Sequence, residues 1–510
     1  MRILLLSMPD MAPQLNTWKA PSLAISSITA NMLASQPEHE VYMADLITAR
    51  DDPVGTIQGL LKDFNPEVVG FSAKSFEFST ACRIATYIKS LHKDVKTVLG
   101  GYHSTLMYED IAREGLAEPF DFLLRGECDH SFGELIQVIT DKRRSTSVRG
   151  LSFRDNGHWI HNAPRLQEDL NTIVMPNRAN RLLTGYTFQD RMLDTLETSR
   201  GCTMPCNFCS MRYMYGSTFR TYPLERVMAD IANAKKRGTK YLAITDDNIC
   251  LDLKHLESLC DAIIREGHDD MTYVIQGSSA GISSSETVVE KMSRAGFDMV
   301  YLGIENVSEK NLKLMKKGNI VEKTKRAVEL LQKYNIISIG GLIIGHPDDR
   351  EEDIAVNYEF LNRLGVDFYH DQIITPYPKT GMREDLLRQG LITNLDDYRK
   401  YSGFWANVKT KHLDSQDIQF YKWKYGQKMT SFFRSPRAYK RRFPTGLLIK
   451  FLLKYLATAP YYQTKKFINN YGKTERERFQ VYIDIQEHLN DFPELPEAIT
   501  AEPTTKSRSA

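Results

Sequence analysis

The chain has 510 residues, 42% of them apolar and 25% charged, with a formal net charge of +2. This length suggests about three domains, the composition excludes a disordered chain, and the near-neutral charge by itself points to no partner. Seven cysteines, an odd and sparse count, exclude a secreted disulfide framework and fit a reducing cytoplasm.

The N-terminus, MRILLLSMPDM, has too short an apolar run for a signal peptide and reads as a buried first strand. No apolar stretch reaches the roughly 20 residues that span a bilayer. Residues 1–145 alternate short apolar strands with helical patterns: RILLLS (2–7), EVYMAD (40–45), VVGFSA (68–73), TVLGG (97–101) and DFLLRG (121–126). Strands this apolar, separated by helices, predict a parallel α/β sheet covered on both faces. A doubly wound, Rossmann-like domain would take its ligand at the carboxyl ends of the strands.

Residues 146–190 read as a connector, with the Asn-Gly of a hairpin turn in SFRDNGHWIHN. Residues 191–380 alternate again. Strands are expected at 193–198, 241–246, 272–277, 299–305, 337–345 and 368–374, with a helical pattern after each of the first five. Six such units predict a partial (β/α)6 barrel whose chemistry belongs to the loops at the strand carboxyl ends.

Residues 381–495 read as a mostly helical, basic and aromatic region. Thirteen Lys or Arg and no Asp or Glu lie between Phe420 and Lys473. GLLIKFLLKYL (446–456) has the pattern of an amphipathic interfacial helix, so 420–473 has two readings: peripheral contact with an anionic membrane face, or a solvated basic face packed on the barrel. No nucleic-acid-binding module is present. The tail from 496 to 510 reads as disordered.

The loop after the first barrel strand reads GCTMPCNFCSM and carries Cys202, Cys206 and Cys209. Close soft thiolates suit zinc or an iron–sulfur cluster. A structural zinc site needs a fourth ligand, which Cys250 or Cys260 could in principle supply, though they lie in another predicted loop and helix. A four-iron cluster on three cysteines keeps one iron open.

CxxxCxxC, with Phe208 before the last cysteine and in this barrel loop, resembles the radical S-adenosylmethionine (SAM) superfamily. The resemblance implies a [4Fe-4S] cluster on the three cysteines. Its open iron would bind SAM, whose reductive cleavage gives a 5′-deoxyadenosyl radical. It also implies SAM contacts from Phe208, from Asp246 and Asp247 in ITDDNIC, from Glu305 in YLGIENVSEKNLKLMKKG, and from Gly345 in GGLIIGHP. The alternative for the two aspartates is capping of the helix that starts near Leu253, and for Glu305 it is pairing with a nearby lysine. The chain departs from the pattern after the third barrel strand. Many relatives carry an arginine there, and Ser278 or Ser279 stands in its place, leaving Gln276 as a candidate contact.

A Rossmann-like domain before such a barrel resembles the cobalamin (B12)-binding radical SAM enzymes, including class B methyltransferases and relatives that modify hopanoids and tetrapyrroles. VVGFSA, TVLGGYHSTLMYED and LLRGECDHSFGELIQVI carry the likeness. It implies cobalamin contacts from Ser72, Gly100, Gly101, Gly126 and Glu127, although glycines there could equally serve tight turns. The first strand–helix loop contains no histidine, and His103 lies in another loop, read as a loop or surface histidine. The expectation is base-off cobalamin without a histidine ligand.

The function these resemblances imply is cobalamin-dependent methyl transfer to an unactivated carbon of a hydrophobic lipid, isoprenoid or tetrapyrrole-like substrate. The electron donor would be flavodoxin- or ferredoxin-like. The location would be cytoplasmic, with contact at the inner membrane face under the membrane reading. Two alternatives are a radical SAM oxidative cyclase or carbon–carbon bond-forming enzyme, and a non-catalytic cobalamin or metal sensor.

Overall fold

A computed structural model describes residues 1–11, 18–188, 190–429 and 472–496. The first sheet has seven strands: β1 (Arg2–Ser7), β2 (Glu40–Asp45), β3 (Val68–Ser72), β4 (Lys96–Gly100), β5 (Phe122–Leu124), β6 (Leu151–Asp155) and β7 (His158–His161). Their spatial order is 2-1-3-4-5-6-7. The first five run parallel, and each is followed by a helix or turn that leads to the next. Their near-continuous apolar runs bury against helices on both faces, forming two separate cores, one around Leu4, Val69 and Leu99, the other around Ile3, Val68 and Val98. The order reverses between β1 and β3, so the crevice for a ligand opens above Ser7 and Ser72.

The Asn156–Gly157 turn, both residues at positive φ (48° and 83°), joins β6 to β7. That hairpin, within the segment read as a connector, adds antiparallel to β5 and extends the first sheet. Arg178 then pins the chain onto the second sheet. It donates to Asp194 at 2.9 Å and to Asp230, all three groups being buried.

The second sheet contains β8 (Thr187–Phe188), β9 (Arg191–Leu196), β12 (Tyr241–Ile244), β13 (Thr272–Ser278), β14 (Phe297–Glu305), β15 (Ile337–Ile344) and β16 (Phe368–Ile373). Between β9 and β12 the two-residue strands β10 (Ser199–Arg200) and β11 (Arg220–Thr221) pair antiparallel. From β9 to β16 the six long strands run parallel in chain order, with β8 antiparallel on the edge. This is the expected half barrel. Alternate residues such as Tyr273, Ile275 and Val300 face the outer helices. The opposite face is plugged at its base by Leu193, Tyr241, Met299 and Ile337, with Phe188 of β8.

Tyr301, from the middle of β14, crosses over β15 and bonds His370 of β16 at 3.3 Å. It can do so because residue 341 is glycine: a Cβ there would lie 2.5 Å from the phenol oxygen. Beyond the barrel, helix Ser415–Met429 packs on it through Ile418 and through Lys422, which bonds Asp371 at 2.9 Å. Helix Glu475–Asn490 completes the described region, with Phe479 packed on Phe420. The segment 446–456 and most of the basic stretch lie outside the described residues, as does 497–510. No described helix is long and apolar enough to cross a membrane.

Candidate cofactor site between the two sheets

The cysteine loop leaves the barrel after β9 and is clamped at its neck by β10 and β11, which pair Ser199 with Thr221 and Arg200 with Arg220. Gly201 starts the loop at φ 88°, and a Cβ there would lie 2.3 Å from the Thr218 carbonyl oxygen. Only glycine closes this neck. Cys206 is buried, while Cys202 and Cys209 are partly exposed. Burial pushes all three thiols up, Cys209 to about 11, and Lys317 pulls Cys202 and Cys206 back down. Among the described residues, no three Cys, His or acidic side chains are placed to hold one metal ion. Cys202 and Cys206 both act on Cys209, so the three thiols are neighbours, and thiolates are the donor set of an iron–sulfur cluster. Cys250 and Cys260 are buried apart, Cys250 against Gly277 and Gly281.

The two aspartates after β12 hold this loop. Asp246 is buried and accepts from the Thr198 amide at 2.7 Å and from the Thr198 and Ser199 hydroxyls; burial raises it to about 6. Asp247 accepts from the Gly201 amide at 2.9 Å and is pushed to about 7, again by burial. Neither caps the helix at Leu253; Asp252 does, accepting from the Lys254 and His255 amides. Asn248 accepts from the Ser278 amide at 3.2 Å and its side chain reaches Cys202. Gln276 stands exposed on the inner face of β13, and Ser279 donates to the Gly303 carbonyl.

Glu305 ends β14 at a register shift with φ 64°, a strained conformation for a residue other than glycine. Its carboxylate lies 2.9 Å from Lys317 Nζ. Burial works against the charge on Lys317, but Glu305 and the Cys206 and Cys202 thiols outweigh it and hold the lysine charged. Gly345 follows β15 at φ 84°, and a Cβ there would lie 3.3 Å from Ile418 and 3.4 Å from Ile373. Asp349 bonds the amides of Gly345 and His346 and accepts from Asn311, tying this loop to the one after β14. Phe208 packs on the edge of the outer barrel core. Asp247, Ser278 and Glu305, at or just past the ends of β12, β13 and β14, are thus tied to the cysteine loop.

The carboxyl edge of the first sheet faces this loop. Tyr102, which follows Gly100 and Gly101, meets Tyr215 of the cysteine loop edge-on at 6.4 Å between ring centroids. Tyr102, Tyr215 and Tyr377 keep part of their surface open, yet burial raises all three phenols, Tyr377 to about 12, with Cys209 among the charges that act on Tyr102 and Tyr377. Tyr102 and Tyr377, which Cys209 acts on, and Tyr215 thus stand together where the two carboxyl edges meet. Lys74, after β3, has 55% of its side chain exposed. Burial opposes its charge, but Glu77 and Asp10 hold it charged, and that charge acts on Tyr377.

Ser72 pairs in register with Gly100 at the rim. Gly101 is required by its own fold, since a Cβ would lie 2.8 Å from the Ala73 carbonyl. Gly126, at φ 78°, has nothing within 4 Å of an added Cβ and opens onto free space. Glu127 turns its carboxylate away, bonding Arg200 at 3.2 Å and Arg220 at 2.5 Å. The reading of His103 as a loop or surface histidine is corrected. Its ring is fully buried, stacked on Phe78 at 4.1 Å and edge-on to Tyr398 at 4.8 Å, and burial lowers its pKa to about 3. The residues that sequence reasoning missed, Arg200, Asn248 and Lys317, come together around the cysteine loop only in the fold; nothing in their spacing distinguishes them from ordinary polar surface residues.

A family profile described as the B12 binding domain matches residues 20–136, and one described as the Radical SAM superfamily matches 196–361. An uncharacterized methyltransferase of Pyrococcus horikoshii is 29% identical over 75% of this chain and 82% of its own length. An anaerobic magnesium-protoporphyrin IX monomethyl ester cyclase of Synechocystis is 24% identical over 61% of both chains. The structure of TsrM, a radical S-adenosylmethionine methyltransferase from Kitasatospora setae with cobalamin and a [4Fe-4S] cluster bound, superimposes with a TM-score of 0.64. That match has 17% identity and covers 82% of this chain and 85% of the other.

Proposed function

The chain belongs to the B12-binding radical SAM proteins, and from that premise we propose that it is a cobalamin-dependent C-methyltransferase. The observation that carries this reading is the meeting of the two carboxyl edges, where Tyr102 of the B12-binding sheet packs edge-on against Tyr215 beside the cysteine loop. The cofactors, when bound, supply a 5′-deoxyadenosyl radical from SAM and a transferable methyl group.

The chain's own residues position and enclose. Cys202, Cys206 and Cys209 hold the cluster. Asp246 fixes the base of their loop, and Asp247 and Glu305 face the SAM side. Ser72, Gly100 and Gly126 line the corrin side. The three tyrosines shield this meeting of edges from water. The base-off arrangement is supported by the two histidines near the rim. His103 is caged by aromatics, and His130 is paired with Glu168 at 3.2 Å.

The proposed substrate is a small, largely apolar molecule of the lipid or tetrapyrrole class. The porphyrin substrate in the name of the Synechocystis relative supports it. A flavodoxin- or ferredoxin-like protein is the proposed reductant. That same relative favours a second reading, oxidative cyclisation without methylation.

The test is anaerobic turnover with candidate substrates and a low-potential reductant. Equal 5′-deoxyadenosine and S-adenosylhomocysteine support methyl transfer, whereas deoxyadenosine alone points to the cyclase. A purified chain that takes up iron and corrin but never cleaves SAM points to a sensor.

A further inference from the structure

We propose that Arg200 is a positioning residue that couples the two cofactor pockets, so that filling the corrin pocket sets the shape of the cysteine loop. The proposal rests on the functional reading above.

Arg200 lies two residues before Cys202, on the strand that forms the loop's neck. Its guanidinium does not point into the barrel. It reaches across to the loop after β5, where it grips Asp129 in a fork, Nη1 at 2.7 Å from Oδ2 and Nη2 at 3.2 Å from Oδ1, and Glu127 at 3.2 Å. Its Nε donates to Glu197 at 2.8 Å from within the barrel. The facing neck residue, Arg220, grips both oxygens of Glu127, at 2.5 and 3.3 Å. Asp129 also accepts from Ser27 of the first helix. Arg200, Glu127 and Asp129 are all more than nine-tenths buried.

Buried charges held in forks have few alternative arrangements, because a rotated guanidinium leaves a carboxylate unpaired in a dry site. The joint is therefore stiff. Gly126 immediately precedes the two carboxylates and is the point of that loop open to free space. A ligand resting on Gly126 displaces Glu127 and Asp129 along the chain, and the forks carry that displacement to the neck of the cysteine loop. Glu127 then serves the corrin pocket through Arg200 and Arg220 rather than by touching the ligand with its carboxylate.

The experiment uses the full chain, purified anaerobically with its cluster and compared with and without hydroxocobalamin. SAM affinity is measured by equilibrium dialysis, together with the electron paramagnetic resonance spectrum of the reduced cluster. In the wild type, corrin loading is expected to change SAM affinity by about fivefold or more, the range of ordinary site-to-site coupling, and to shift the spectrum. In Arg200→Lys, which keeps the charge but loses the fork, the change should fall below about twofold with iron and corrin contents retained. Asp129→Asn and Glu127→Gln, on the other side of the joint, should do the same and decide the matter if Arg200→Lys loses iron. Corrin uptake with no effect on SAM or spectrum, or full coupling in the variants, overturns the proposal and leaves the functional reading standing. A wild-type chain that takes up no corrin overturns both.

Discussion

Lys317 Nζ lies 2.9 Å from Glu305 Oε1, and this pair sits against the cysteine loop, with the thiols of Cys202 and Cys206 acting on the lysine. A buried cation beside a cluster favours its reduced, more negative state. Lys317→Met should lower the cluster midpoint potential by roughly 80 mV, since a unit charge several ångströms away at an effective dielectric near 20 is worth about 2 kcal/mol. The same change leaves Glu305 unpaired, which costs stability. Lys317→Met with Glu305→Gln, which removes the adjacent negative charge as well, should recover the melting temperature and most of the potential. An unaltered potential in the iron-loaded single variant would falsify the electrostatic role.

Two glycines at positive φ should fail differently. Gly201→Ala drives a Cβ into the Thr218 carbonyl at 2.3 Å, so the neck must open and iron per chain should fall severalfold. Gly126→Ala meets no protein atom and carries only about 1 kcal/mol of backbone strain. It should keep its iron and weaken cobalamin binding, because the new methyl enters the space proposed for the corrin. Iron and corrin contents of the two purified variants decide this; equal corrin uptake by Gly126→Ala would remove that residue from the corrin pocket.

The alternation of apolar strands and helices made both sheets legible, because burial on both faces writes itself into Val, Ile and Leu runs such as those of β1 and β15. The three cysteines stand out in the sequence because thiol spacing is chemistry rather than packing, and the fold keeps them together on one loop. Long-range electrostatics was not. Glu127 looked like a ligand contact from its place after Gly126, and only the fold reveals Arg200 and Arg220, more than 70 residues away, taking its carboxylate. His103 looked accessible because a strand-end loop is usually exposed; Tyr398, almost 300 residues later, covers it. The positive φ of Glu305 left no mark on the sequence, since the residue is not glycine.

The cysteines themselves separate ligands from packing. Cys202→Ala, Cys206→Ala and Cys209→Ala should each lose the cluster's visible absorption and all SAM cleavage. Cys250→Ala should keep both. Its sulfur fills a gap beside Gly277 and Gly281, so the loss is one of packing, of about 1–2 kcal/mol. Iron loss in Cys250→Ala would assign it a metal-binding part and revive a four-thiolate site.

Two histidines of the first domain give opposite pH responses. Burial holds His103 neutral, with its pKa down at about 3, while the unfolded chain protonates near 6.5. As pH falls below 6.5 the unfolded state takes up a proton that the folded state refuses, so stability is lost, by about 2 kcal/mol at pH 5. His103→Phe keeps a ring against Phe78 and leaves no unmet polar atom, so its melting temperature should fall less than the wild type's between pH 7 and 5. His130 behaves the other way. Its bond to Glu168 raises its pKa, so its contribution is complete below about pH 6.5 and fades as pH rises through the raised value. Being partly exposed, the pair is worth less than about 1 kcal/mol. His130→Gln should flatten the alkaline side of the stability profile, above pH 6.5, and leave the acid side unchanged. Melting curves of both variants from pH 5 to 8 test the two signs together, and an acid-side change in His130→Gln or none in His103→Phe would reverse the assignment.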